Sequence, residues 1–249
     1  MRKSGINKST PDDFLLGAGT VFKNLKYVYR LAEKIKDEIY EEGALEVVAD
    51  ETEETEKTIQ LSALTPDVSF IKLAADYTPK VGDMVIGEWD DSEENVLGAT
   101  SGGNKFSIAS EQMPIEVDGA TVRIKGLTQK TGETGSIETN LAQHTVESFK
   151  RAIVGKEVKS LIKGYTQIVT KPLIELSDYL DNIAYVGTKT DGTEIIIIME
   201  NAICTSAFEV EGKNKETSVV NTIFEASADF EKGVYDTLPI YIFYPEKTE

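Results

Sequence analysis

The chain alternates between two hydrophobic periods. From Lys26 to Glu42 the apolar residues Val28, Leu31, Ala32, Ile35 and Ile39 recur at helical spacing, and Gly43 supplies a stop, which predicts a helix. Ala142, Val146, Phe149 and Ile153 mark one face of a second helix, with Asn140 as N-cap, Gln143 three residues later, and Gly155 to end it. Elsewhere the pattern is that of strands. Phe14–Phe22 is a short apolar segment broken by Gly17 and Gly19, which predicts a strand with a bulge or a close backbone approach. Thr58–Leu64, Val68–Leu73 and Met84–Glu88 follow, punctuated by Pro66, Pro79 and Gly82.

Strand signals strengthen after Leu97. Met113–Val117 and Ala120–Lys125 flank Asp118-Gly119, a dipeptide suited to the positive φ angles of a tight hairpin, and Ser136–Glu138 offers another short strand. A second Asp-Gly turn, Thr188–Gly192, lies between Asn182–Val186 and Glu194–Met199. The run Ile195–Ile198 predicts a strand covered on both faces. Ala207–Val210 and Val219–Ala226 bracket the polar loop Glu211–Thr217, and Pro239–Tyr244 is the last strand. The expected fold class is mainly β.

Composition narrows the function. At 249 residues with 40% hydrophobic side chains the chain can bury a real core. Its longest apolar run, Ile195–Met199, is far below the ~20 residues of a membrane-spanning helix, so no membrane association is expected. Met1-Arg2-Lys3 is basic but no apolar stretch follows, so no signal peptide is expected. Residues 1–13 are polar, end in Thr10-Pro11-Asp12-Asp13, and read as a flexible arm. The net charge of −17 repels nucleic acid, although a conduit that passes DNA without holding it gains from a wall of that sign.

Candidate chemistry is sparse. One cysteine, Cys204, rules out an intrachain disulfide, and one histidine, His144, cannot complete a Cys/His zinc site or a Ser/His/Asp triad. Cys204 reads as a buried thiol and His144 as a solvent-facing residue of the helix's first turn. The acidic run Glu46–Glu56 lacks the alternating ligands and central Gly of a calcium loop and reads as solvated. Gly98–Lys105 lacks the GxxxxGK[ST] spacing of a phosphate-binding loop and reads as a turn. No catalytic, cofactor-binding or metal-binding residue is expected, and no enzyme.

Three blocks carry a resemblance to the major tail tube protein of long-tailed bacteriophages and prophages. Gly17-Ala18-Gly19-Thr20-Val21-Phe22-Lys23-Asn24-Leu25 is similar to the family's G-x-G-x-x-[YF]-x-N strand. Gly98–Gly155 follows its succession of G-A-T-x-G-G-N, I-E-V-D-G-A, K-G-L, T-N-L and a helix. Asp191–Phe230 resembles the C-terminal strands, with D-G-T-E-(I)4, F-E-V and T-I-F-E-A. The resemblance implies a β-sandwich or partly closed barrel flanked by one amphipathic helix. It also implies self-association into stacked, six-fold rings lining a DNA conduit, with tape measure, tail terminator and distal tail proteins as partners. The location would be the virion tail, assembled in the host bacterial cytoplasm, and DNA would pass without specific binding. The 211–217 loop and the N-terminal arm are then candidates for ring-to-ring contacts. Gly43–Asn95 exceeds the family's usual connection and reads as a β-containing insertion on the outside of the tube, interrupting a domain that spans residues 14–249. Two other readings stand beside this one: a monomeric β-rich module binding a cell surface or carbohydrate, and an enzyme with a carboxylate-based site.

Overall fold

The computed structural model describes residues 15–36, 39–51, 57–119, 121–210, 217–233 and 237–246. The sequence's N-terminal arm, residues 52–56 of its acidic run and most of the 211–217 loop lie outside them. Two compact units emerge, residues 24–96 and the rest of the chain, and each has its own core. The fold is mainly β with a single α-helix among the described residues.

In chain order, β1 (Leu15–Lys23) belongs to the larger unit. The 24–96 unit holds β2 (Tyr27–Leu31), β3 (Lys34–Lys36), β4 (Ile39–Tyr40), β5 (Leu45–Val48), β6 (Thr58–Gln60), β7 (Ile71–Leu73) and β8 (Met84–Trp89). Short 3-10 turns lie at Leu61–Leu64 and Glu93–Asn95. Returning to the larger unit, the chain forms β9 (Thr100–Pro114), β10 (Thr128–Leu141), α1 (Val146–Ala152), β11 (Gly155–Val158) and β12 (Gln167–Thr170). It closes with β13 (Leu180–Lys189), β14 (Glu194–Cys204), β15 (Val220–Glu225) and β16 (Ile240–Phe243).

The expected helix over Lys26–Glu42 is not there. Tyr27, Val28 and Tyr29 are stiff, bulky residues that fit a pleated surface, and β8 and β7 flank them, Tyr27 opposite Trp89 and opposite Ile71. Pairing partners distant in sequence outweighed the local helical spacing. The sheet runs β6-β5-β8-β2-β7 over Val47, Leu64, Tyr77 and Val85. Because β2 is an inner strand, the unit begins at Asn24 and takes in more than the 43–95 segment.

The larger unit is a sheet of order β1-β13-β14-β15-β10-β9, curled into a half-barrel. β14 is its fork. Residues Ile196–Met199 pair with β16, while Ile203 and Cys204 pair with β15. Asn201, at φ 52°, lies between the two ladders, where the strand must change direction. The expected cover on both faces lies further along than the isoleucine run: Ile195–Ile198 alternates half-buried and buried, and the consecutive buried residues are Ile198, Met199 and Glu200. Val21, Ile137, Ile183, Met199 and Phe224 pack together inside the curl. β1 carries the expected bulge, its register shifting between Leu16 and Thr20.

Four further expectations are corrected. The Asp118-Gly119 hairpin is part of a wider loop: the ladder ends at the Pro114–Thr128 pair, and one further bond, from Ile115 N–H to the Leu127 carbonyl oxygen at 3.0 Å, closes the loop's base. Gly98–Lys105 enters β9 rather than turning. Gly102 and Gly103, at φ 93° and 90°, sit where the β9–β10 register slips between Thr139 and Leu141. The helix is shorter than expected. Asn140 stays in β10, accepting from Asn221 Nδ2 at 3.0 Å, and Thr145 is the N-cap. Thr145 and Ser148 cap each other reciprocally, at 3.0 and 2.8 Å. Ala207–Val210 is not a strand, since Thr205 N–H already bonds Ile223 C=O at 2.8 Å and the chain leaves the sheet there.

Candidate functional site

The residues with chemical potential stand apart from one another. Cys204 is buried at the C-terminal end of β14, its Sγ 3.4 Å from Ser206 Oγ and 3.9 Å from the carbonyl oxygen of Ala152. It packs in the core beside Phe224 and Ala202. His144 lies on the surface before α1, its ring stacked on Phe149 at 5.6 Å and its Nε2 3.1 Å from the Ser218 carbonyl oxygen. Among the described residues no three His, Cys, Asp or Glu side chains stand together as metal ligands.

The buried charges hold the sheet together. Lys189 ends β13 with its Nζ 2.9 Å from Asp191 and 5.3 Å from the Tyr244 ring centroid. Thr193, then Lys189, hydrogen-bond the Asp191 carboxylate and drive its pKa far below the ordinary range. Glu200 is buried in β14 and meets Lys232 Nζ at 3.4 Å. Glu133 accepts from the Leu238 N–H at 2.9 Å and pairs with Lys130 at 2.9 Å, and both interactions hold its carboxyl below the usual range. These partners fix strand ends. None opens onto a reaction space.

What the geometry does present is surface. β1 and β9 end the sheet, and the curl brings them near enough for Asn104 Nδ2 to donate to the Gly19 carbonyl oxygen at 3.3 Å. Beyond that point β9 and β10 leave the core as a two-stranded ribbon. From Gly135 to Leu141 β10 alternates between buried and half-buried, the mark of a strand with one face covered. Thr128–Thr131 are exposed in succession, and so are Ile108–Met113, of which Gln112 and Met113 stand opposite Lys130 and Gln129. The ribbon and its loop carry Met113, Ile115, Val117, Val122 and Ile124, with Val122 76% exposed. A lone two-stranded ribbon is marginal in water, and aliphatic side chains on both faces make it a surface suited to being covered.

A cleft of about 550 Å³ opens elsewhere on the larger unit, lined by Leu176, Tyr179, Asp181, Asn201, Phe230 and Glu231. Its walls combine apolar rings with carboxylates. Sequence reading missed both the ribbon and the cleft. The ribbon had a signal: apolar residues continue through Pro114–Leu127 with turn residues on either side, longer than one tight hairpin needs. The cleft is assembled from segments far apart in sequence and had none.

No helix among the described residues is long and apolar enough to cross a membrane. No protein-family model matches the chain, and no curated protein matches it.

Proposed function

We propose that this chain is a structural subunit of a bacteriophage tail tube, assembling with copies of itself into stacked rings that form a conduit for DNA. The observation that carries the reading is the projecting β9–β10 ribbon, exposed on both faces and tipped with aliphatic side chains. A surface of that kind costs a monomer solubility and serves a subunit that inserts it against a neighbour. The half-barrel supports the same reading, because its terminal strands offer edges to which another copy's sheet can add. Head-to-tail contacts of this type close into rings when the rotation permits. Six-fold rings, assembly with other tail proteins and a place in the virion tail belong to the proposal.

The test is negative-stain electron microscopy over a concentration series, with and without fragments of preformed tail as seeds. Rings or hollow tubes support the proposal; a chain that stays monomeric at every concentration and in the presence of seeds overturns it. The cleft beside Phe230, itself 85% exposed, favours one second reading, a monomeric binding module for an apolar, cationic ligand. Seeded tubes would retire that alternative.

A further inference from the structure

The charge of this chain is unevenly divided. Residues 24–96 hold 7 basic and 19 acidic side chains, net −12 of the total −17. Residues 150–171 run the other way, with Lys150, Arg151, Lys156, Lys159, Lys163 and Lys171 against Glu157 alone. Some of these cations are already engaged: Arg151 pairs with Glu147 at 2.8 Å, Lys150 faces Glu157 at 3.9 Å, and Lys171 binds Asp178 and Glu175. Lys156, Lys159 and Lys163 are exposed and have no acidic partner among the described residues. In a chain with 43 acidic residues, three neighbouring lysines without one are a surface waiting for charge.

The same surface is strongly apolar. Leu161 is 98% exposed, Leu176 90%, and Ile162, Tyr165, Leu173 and Ile174 lie between 62% and 74%. They sit on the β11–β12 hairpin loop and on the segment after β12, and Leu173 shares the walls of a cleft of about 590 Å³ with Lys150, Lys156 and Lys171 and with the carboxylates of Glu157, Glu175 and Asp178. Six large aliphatic or aromatic side chains with the unpartnered Lys156, Lys159 and Lys163 in the same stretch do not suit a phosphate backbone, which offers nothing to the apolar part. They suit a surface that is acidic and aliphatic at once.

We propose that residues 156–176 form a docking face for the acidic 24–96 unit of a second copy of this chain. That unit supplies the matching chemistry. Asp91, Glu93 and Glu94 are exposed and make no ion pair among the described residues. Their turn is held in shape by Asp90, which accepts from Ser92 N–H at 3.3 Å and from Asn95 Nδ2 at 3.0 Å. The unit also exposes Leu31, Ile35 and Ile39, beyond the end of the β2–β8 ladder that lies away from this turn. The two faces are different patches of one molecule, so the contact is head-to-tail and can close or propagate. This inference rests on the self-assembly reading and deepens it. It also gives the 24–96 unit a place in the interface, where its sequence suggested an external decoration.

The experiment is sedimentation velocity on the full chain over a concentration series, at low and high salt. Three variants accompany the wild type: K156E/K159E/K163E, D91K/E93K/E94K, and the chain carrying all six changes. All replace exposed side chains, and circular dichroism checks that the fold is kept. The expected result is that each triple variant needs about tenfold more protein to associate, and that the six-fold variant recovers, because reversing both faces restores their complementarity. High salt should weaken wild-type association. A wild-type chain that associates while the lysine variant associates equally well overturns this inference alone; a wild type that stays monomeric at every concentration, with tail-fragment seeds present as well as absent, overturns the self-assembly reading with it. Failure of the six-fold variant to recover overturns the pairing of these two faces. Lysine-dependent sedimentation with phosphatidylserine vesicles or duplex DNA, without lysine-dependent self-association, overturns it in favour of a lipid or nucleic-acid partner.

Discussion

Asn104, near the start of β9, donates from Nδ2 to the Gly19 carbonyl oxygen in β1 at 3.3 Å, and so links the first and last strands of a six-strand path. This bond bridges the opening of the half-barrel. Asn104→Ala removes the donor and leaves a carbonyl with one partner fewer, at a cost of about 1 kcal/mol. In a domain of this size the thermal midpoint should fall by about 2–4 °C. Asn104→Asp should fall further, since an anion would then face the carbonyl oxygen. Differential scanning calorimetry of both variants decides it: an aspartate as stable as the alanine would mean the bond does not tie the edges.

Elements whose partners are near in sequence were legible. The β13–β14 hairpin is one, because Asp191-Gly192 specifies the turn and the isoleucine run specifies the buried strand. The bulge in β1 is another, read from Gly17 and Gly19, which take φ values of 69° and 67°. Tyr27–Leu31 was illegible because Val28, Leu31 and Ile35 fit a helical stripe just as Tyr27 and Tyr29 fit a strand, and the deciding partner, β8, lies some sixty residues on. Asn140 was mistaken for a cap because nothing local reveals that Asn221 will reach it. The surfaces failed for a related reason. Whether Leu161 or Val122 is covered depends on what the fold places above it, and periodicity does not carry that information.

Gly87 in β8 lies under the Tyr27 ring, and a Cβ there would stand 2.6 Å from Tyr27 Cζ. Gly87→Ala must therefore displace the ring, which also packs edge-on against Trp89 at 4.9 Å. Overpacking of this kind costs about 1–3 kcal/mol. Trp89 is the single tryptophan, so its fluorescence reports on the 24–96 core alone, while the buried Cys204 thiol reports on the other. In urea, Gly87→Ala should shift the fluorescence transition to lower denaturant and leave the onset of Cys204 labelling unchanged. Equal shifts in both would show that the two cores unfold as one.

Acid should loosen the larger unit through carboxylates that the fold keeps ionised. Glu133 is held low by the Leu238 N–H and Lys130, Glu147 by Arg151, and Asp191 by Thr193 and Lys189. Their folded pKa values lie below the unfolded references of 4.5 for Glu and 3.8 for Asp. The stability they contribute is therefore present above those references and is lost as pH falls through the folded values. The thermal midpoint should hold steady at neutral pH and drop below about pH 4. Glu133→Gln should flatten the upper part of that drop, and an unchanged profile would remove Glu133 from the account.

Alkali should act on the 24–96 unit. Burial, then the Asp83 carboxylate that accepts from its hydroxyl at 3.2 Å, pushes the Tyr77 pKa up to about 12 from a reference of 10.0. A raised phenol contributes stability that is complete below the unfolded value and lost as pH rises through the folded one. Phenolate absorbance should thus show a late class of tyrosines, and Tyr77→Phe should remove one of them. Titration of Tyr77 together with the exposed phenols would place it outside the core.

The ribbon makes the most direct prediction about assembly. Met113, Ile115, Val122 and Ile124 are exposed on the β9–β10 arm and, among the described residues, belong to neither buried cluster nor to the side chains packed against them. Replacing Ile115 and Val122 by serine should leave the unfolding free energy within about 0.5 kcal/mol of wild type, and the thermal midpoint nearly unmoved, as surface changes do. The same change removes apolar area from any contact the arm makes with another copy, at roughly 25 cal/mol per Å². Light scattering should then show association moved to higher protein concentration, and tube formation on seeds slowed or lost. A double variant that assembles like wild type would mean the arm stays in solvent in the assembled state. One that melts early would mean these side chains stabilise the monomer's own fold, and the solubility argument for a neighbour would fall.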